Sequence, residues 1–145
     1  MNIEIKHWNS LTKEELYQIL QLRTEVFVVE QNCAYQECDG KDLVSYHLIG
    51  KIDNQIIATA RIIPNDGEEV YLGRIVVSET FRKHDFGKRV VRSCIDFAKK
   101  NLKANKVSMS AQTYLNGFYK NLGFKTVGEE YLEDDIPHIH MEQLI

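Results

Sequence analysis

With only three cysteines, an odd number, this chain has no disulfide framework. Cys33, Cys38 and Cys94 fit a reducing compartment, so a cytoplasmic protein is expected. Cys33 and Cys38 stand close together, but with no histidine at finger spacing they do not form a zinc site, and no metal is expected. There is no excess of positive charge: the net charge of −3 gives no general drive toward nucleic acid or an anionic membrane, and neither is expected as a partner. No apolar run approaches the roughly 20 residues of a membrane-spanning helix. The opening MNIEIKHWNS has no basic segment followed by an apolar core, so no signal peptide is expected. Internal repeats, low-complexity tracts and linkers are also missing. What remains is one domain, residues 1–145, with 43% hydrophobic and 27% charged residues, the mix of an ordinary globular protein.

The most informative stretch is Val70 to Lys100. Val70 to Val77 is a β-branched apolar run, too continuous for a solvent-facing strand, and reads as buried. From Phe86 the apolar residues Val90, Val91, Cys94, Phe97, Ala98 and Leu102 recur at three and four, one face of an amphipathic helix. Between strand and helix lie Arg82, Lys83, Asp85, Gly87, Lys88 and Arg89. A helix N-terminus carries partial positive charge, so cations there are unfavourable unless something anionic joins them. The alternative is a solvated basic face. The strand–turn–helix setting favours an anion site, with Gly87 allowing close backbone approach and free N–H groups forming the cradle.

The rest of the chain supplies the frame. Ile3 to Trp8 reads as a first strand, and Thr12 with Glu15 is a capping box opening a helix that runs to Gln31. Leu16, Leu20, Phe27 and Glu30 are expected on one stripe with Arg23 in its middle. Such an arginine either snorkels or pairs with a core carboxylate, or else lines a cleft together with Glu30. Residues 32–45 read as a long irregular loop. Tyr46 to Ile52 and Gln55 to Ile63 form a hairpin through Asp53-Asn54. Val107 to Ala111 is a strand, Tyr114 to Leu122 a short helix stopped by Gly123, and Phe124 to Glu130 and His138 to Leu144 are strands joined by an acidic loop, LEDDIP. His138 and His140 alternate on one side of a regular strand, but no third metal ligand accompanies them. The order β-α-β-β-β-α-β-α-β-β implies an α/β (α+β) fold: a mixed, largely antiparallel sheet of six to seven strands with helices on both faces.

These residues carry a family resemblance. The turn Arg82-Lys83-His84-Asp85-Phe86-Gly87-Lys88 after GRIVVS, and FYKNLGF from Phe118 to Phe124, resemble the GCN5-related N-acetyltransferases (GNAT). LRTEVFVVEQNCAYQ, GRIVVSE and IPHIHM resemble the ElaA-like branch in particular. The resemblance spans essentially the whole chain. It implies acetyl-CoA as co-substrate, with the pyrophosphate on the backbone N–H groups of the turn and a tyrosine near the thioester sulfur. Two positions depart from the pattern: Asp85 stands where a glycine is usual, and Gln112 replaces a common asparagine. Neither removes a backbone donor.

The implied reaction is direct attack on the acetyl thioester by a primary amine, the acceptor being a small molecule or a peptide. The candidates for cofactor binding are Ile75, Val76, Val77, Arg82, Lys83, Asp85, Phe86, Gly87, Lys88, Gln112, Asn116 and Tyr119. Backbone N–H groups near Val76 and Val77 would stabilise the developing oxyanion, and Ile75 and Val77 would pair with the pantetheine arm. Tyr119 is the candidate acid for the departing thiolate. An alkyl ammonium, pKa about 10.4, must lose a proton before attack; Glu30, Glu25, His47 and His138 are the possible bases, with Glu30 preferred. Arg23, Glu30, His47 and His138 are the candidates for the acceptor end. A non-catalytic acyl-CoA sensor is the alternative, and it would not need Tyr119. Asp85-Phe86-Gly87 spells a kinase triplet in a chain lacking the other kinase signatures, and Gly87-Lys88 lacks the first glycine of a Walker motif. Exposed edge strands would suit a homodimer.

Overall fold

A computed structural model describes every residue from Met1 to Ile145. Seven strands are present: β1 (Asn2–His7), β2 (Tyr46–Ile52), β3 (Gln55–Pro64), β4 (Glu69–Val77), β5 (Lys106–Gln112), β6 (Lys125–Glu133) and β7 (Ile136–Leu144). Three α-helices join them: α1 (Lys13–Arg23), α2 (Phe86–Asn101) and α3 (Asn116–Asn121). The sheet order is β1-β2-β3-β4-β5-β7-β6, and every pairing is antiparallel except β4 with β5. This is the mixed sheet that the element order implies. No helix is long and apolar enough to cross a membrane.

Alternation along the strands divides the core between the two faces of the sheet. Leu48 and Ile49 are adjacent on β2, yet they enter different apolar clusters. Leu48 joins Ala58, Ile62 and Met109 with Val90, Val91, Cys94 and Ala98 of α2 and Tyr119 of α3. Ile49 joins Ile56 and Val76 with Ile19 and Leu22 of α1 and with Val26. At about 1.5–3 kcal/mol for each fully buried aliphatic side chain, the larger cluster under α2 carries most of the burial energy.

The local signals mostly hold. Thr12 Oγ1 accepts from the Glu15 N–H at 3.1 Å while Glu15 accepts from the Thr12 N–H at 2.9 Å, the reciprocal capping box. Asp53 and Asn54 both take positive φ, 50° and 64°, as a two-residue hairpin turn needs.

Three expectations are corrected. The first helix does not continue regularly to Gln31. After Arg23 the chain winds as a π-helix, Thr24–Glu30, whose last bonds reach five residues back: Gln31 N–H to Val26 O at 3.1 Å and Cys33 N–H to Val28 O at 3.0 Å. The buried face is accordingly Ile19, Leu22 and Val26, while Leu16, Leu20 and Phe27 are only half-buried. Strand β4 is central but not wholly buried: Tyr71 is exposed and Gly73 to Ile75 are half-buried, because one side opens onto a cleft. The acidic connection LEDDIP is not a loop but the end of a β6–β7 hairpin, closed by Asp134 and Asp135 with φ of 49° and 62°.

Candidate acyl-transfer cleft

The cleft originates in a parting of strands. β4 and β5 pair only through Glu69–Lys106, Val70–Val107 and Tyr71–Ser108. Beyond that point they separate, and a cavity of about 1340 Å³ opens between them. A β-bulge helps to turn β4 away: Gly73 pairs with Arg61 and Val76 with Thr59, so Arg74 and Ile75 together face Ala60. Arg74 takes φ 50°, a left-handed conformation that costs a non-glycine residue about 1–3 kcal/mol.

The bulge fixes which backbone groups enter the cleft. The Ser78 N–H donates to Ile57 O at 2.7 Å. By antiparallel alternation Val76 then points its N–H and C=O at β3, and Val77 points its own toward the cleft. The Val77 carbonyl accepts from Arg82 Nε at 3.0 Å. The free edge of β4 therefore presents Val77, while Val76 contributes its side chain to the wall.

At one end of the cleft lies the turn Arg82 to Lys88. Lys83 and Asp85 have φ of 69° and 59°, a conformation that turns successive N–H groups to one side. Asp85 precedes α2 without capping it through its side chain, and no acidic residue lies in the first helical turn, so these donors stay free of side-chain partners. The Asp85 side chain is 82% exposed and reaches only Lys88, at 3.9 Å, so it is turned out to solvent. Gly87 is not required by the protein itself: a Cβ there would meet only the Phe118 ring at 3.5 Å, an ordinary contact. Bare backbone, free N–H groups and the cations Arg82, Lys83 and Lys88 together fit a polyanion such as a pyrophosphate.

Tyr119 enters the wall between Phe118, 5.0 Å away centroid to centroid, and Phe124 at 5.9 Å. Burial raises its phenol well above the ordinary tyrosine value, with Tyr114 adding to the shift, so the group stays protonated. Gln112 of β5 lines the cleft and exchanges amide hydrogen bonds with Gln31 at 3.3 and 3.4 Å, a link from β5 to the end of the π-helix. Ile75, Phe86 and Gly87 also line it. Asn116 does not; its Oδ1 is buried without a partner.

Two of the four candidates for the acceptor end lie elsewhere. Arg23 is 1% exposed and shut inside an ionic cluster, donating to Glu37 at 2.8 Å and to both oxygens of Asp42 at 2.8 and 3.2 Å. Its burial opposes the charge, but the hydrogen bonds and fields of Asp42 and Glu37 outweigh that. His47 is equally buried, with Nε2 3.0 Å from Asp42 O, and burial lowers its pKa. Neither borders the cleft. Glu30 does border it, but both its oxygens are taken by Arg82, at 2.7 and 3.0 Å. His138 lines the opposite wall, donating from Nδ1 to Ile136 O at 2.6 Å with Nε2 3.2 Å from Glu133. Glu25 is exposed and outside the cleft, and His140 contacts Glu142 at 3.6 Å.

Sequence reasoning passed over Tyr35, Arg61, Arg74 and Glu133, all of which line the cleft. Arg74 stands inside GRIVVS, a motif whose expected role lies in its backbone groups rather than in the arginine side chain. Tyr35 and Glu133 sit in polar segments read as loops, 32–45 and LEDDIP, and only the fold brings them to the cleft wall.

Comparison with known proteins agrees with this geometry. The family described as acetyltransferase (GNAT) domain matches residues 9–145. Escherichia coli protein ElaA is 40% identical over 139 residues, covering 93% of this chain and 91% of that protein. The crystal structure of an acyl-CoA N-acyltransferase from Pseudomonas aeruginosa is 42% identical, with a TM-score of 0.92 and 99% of each chain covered. A GNAT acetyltransferase from Elizabethkingia anophelis, solved with acetyl-CoA bound, shares the fold at 17% identity, with a TM-score of 0.68 over 99% of each chain.

Proposed function

The chain belongs to the GNAT acetyltransferase family, and from that premise we propose that it transfers an acetyl group from acetyl-CoA to a primary amine. The observation that carries this reading is the free edge of β4 running into the Arg82–Lys88 turn, with Tyr119 on the facing wall. A bound acetyl-CoA supplies a thioester whose acyl carbon a neutral amine attacks directly. The acetyl-CoA of the Elizabethkingia protein makes this the first ligand to test.

Each protein group then has one task. The N–H groups from Lys83 to Lys88 hold the pyrophosphate, and Arg82 and Lys88 offset its charge. The N–H of Val77, whose C=O already accepts from Arg82, pairs with the amide-bearing arm as the edge of an added strand would, beside the bulge residue Ile75. The Tyr119 hydroxyl delivers a proton to the departing sulfur. Glu30 is occupied by Arg82, so we assign removal of the acceptor's proton to the His138–Glu133 pair on the other wall, directly or through water.

Calorimetric titration with acetyl-CoA, followed by thiol release in an amine screen, tests the reading. Tyr119→Phe is expected to lower kcat by about 10²-fold or more while leaving cofactor affinity unchanged. Full turnover in that variant would remove Tyr119 from the mechanism, and absence of binding by the wild type would remove the cofactor.

A further inference from the structure

The segments LRTEVFVVEQNCAYQ and GRIVVSE are distant in sequence, yet one side chain joins them. Glu37 receives Arg23 Nε from the end of α1 at 2.8 Å, Arg74 Nε from the β4 bulge at 2.7 Å and the Tyr35 hydroxyl at 2.5 Å. Arg74 also lies over the Tyr35 ring, 5.9 Å from its centroid. Arg61 of β3, paired with Gly73 beside the bulge, reaches Asp39 at 2.9 and 3.0 Å and Asp42 at 3.2 Å. Three carboxylates of one short segment, residues 37–42, thus bind three arginines from three different elements.

Arg74 is the residue that carries the unfavourable φ of the bulge. A glycine would hold that conformation without strain. The arginine there must therefore contribute through its side chain, and that side chain is fastened to Glu37. We propose that Glu37 and Arg74 are positioning residues: their ion pair ties the 32–45 segment to the β4 bulge and so sets the angle at which the Val77 backbone meets the acyl end of the cofactor. This rests on the acyl-transfer reading above. The turn at Arg82–Lys88 lies outside the tie, so binding of the pyrophosphate end is separable from alignment of the thioester end.

The test compares Arg74→Gly and Arg74→Lys with the wild-type chain. Arg74→Gly keeps the backbone conformation and removes the tie. It is expected to stay folded and to bind CoA within about twofold of wild type, while kcat falls at least about tenfold. Arg74→Lys, retaining one ion pair, should recover part of that loss. Hydrogen exchange of residues 72–77, measured without any substrate, should accelerate in Arg74→Gly. Wild-type kcat in Arg74→Gly, or unchanged exchange over 72–77, would overturn the proposal. If the wild-type chain neither bound CoA nor turned over an amine, the functional reading would fall, and the exchange comparison would still decide the tie.

Discussion

The two ends of the cleft use the same residue types in opposite ways. At the turn, Arg82 and Glu30 form a bidentate pair whose side chains remain 37% and 36% exposed, and neither has another charged partner. At the bulge, Glu37, Asp39 and Asp42 meet Arg23, Arg61 and Arg74 in a network where Arg23 and Glu37 are 1% and 6% exposed. An exposed pair gains little over its hydrated ions and can exchange one partner for another at small cost. A buried network cannot lose a member without stranding a charge. The first end is suited to receiving an anionic ligand, the second to holding the chain still.

The largest effect expected from this contrast is on stability. Glu37→Ala leaves Arg23 and Arg74 short of a carboxylate in a dry setting and should cost about 3–5 kcal/mol. For a domain of this size that lowers the thermal midpoint by roughly ten degrees. Glu30→Ala should cost under about 1 kcal/mol, because its pair faces solvent. Scanning calorimetry of the two variants checks the ranking, and equal losses would break the comparison.

Acid should weaken the network. Burial pulls the Asp39 carboxyl upward, but the hydrogen bonds from Arg61 and the Lys41 N–H outweigh it and hold the group down to about 2, against an ordinary 3.8. Asp42 is lowered in the same way, with Arg23 and Arg61 overcoming its burial. A carboxyl lowered in the folded state stabilises the fold fully above its unfolded pKa and loses that contribution as pH falls through the folded one. Unfolding free energy measured in urea should therefore drop between about pH 4 and pH 2, with a shallower slope in Asp39→Asn. An unchanged slope would mean that the carboxylates are not coupled to folding.

The turn was readable from sequence because all its parts are local. Cations, a glycine and the start of an apolar period lie within a few residues of Arg82, and backbone donors need no distant partner. The helix order, the capping box at Thr12 and the Asp53-Asn54 turn were legible for the same reason. The bulge network was not. Glu37 lies 14 residues from Arg23 and 37 from Arg74, so nothing near any one of them signals the pairing. Arg23 illustrates the point: pairing with a core carboxylate and lining a cleft were both open, and only the folded chain, which brings Asp42 and Glu37 to it, decides for the first. The stripe through Glu30 failed for another physical reason. A 3.6-residue period was carried through a segment that winds as a π-helix, which rotates Phe27 and Glu30 away from the face that Leu16 and Leu20 define.

The smallest effect probes the turn directly. Arg82 bridges Glu30 and the carbonyl of Val77, the residue whose N–H is assigned above to the cofactor's amide arm. A pyrophosphate arriving at Lys83–Lys88 meets an arginine already committed to a carboxylate, together with the charge of that carboxylate. Glu30→Gln removes the charge and loosens the arginine, and both changes favour an anionic ligand. Affinity for CoA should then rise by roughly two- to fivefold, and the gain should shrink at high salt, because the site is open to solvent. A fall in affinity instead would mean that Glu30 keeps Arg82 in its binding position, which would make the exposed pair as much a fixed part of the site as the buried network.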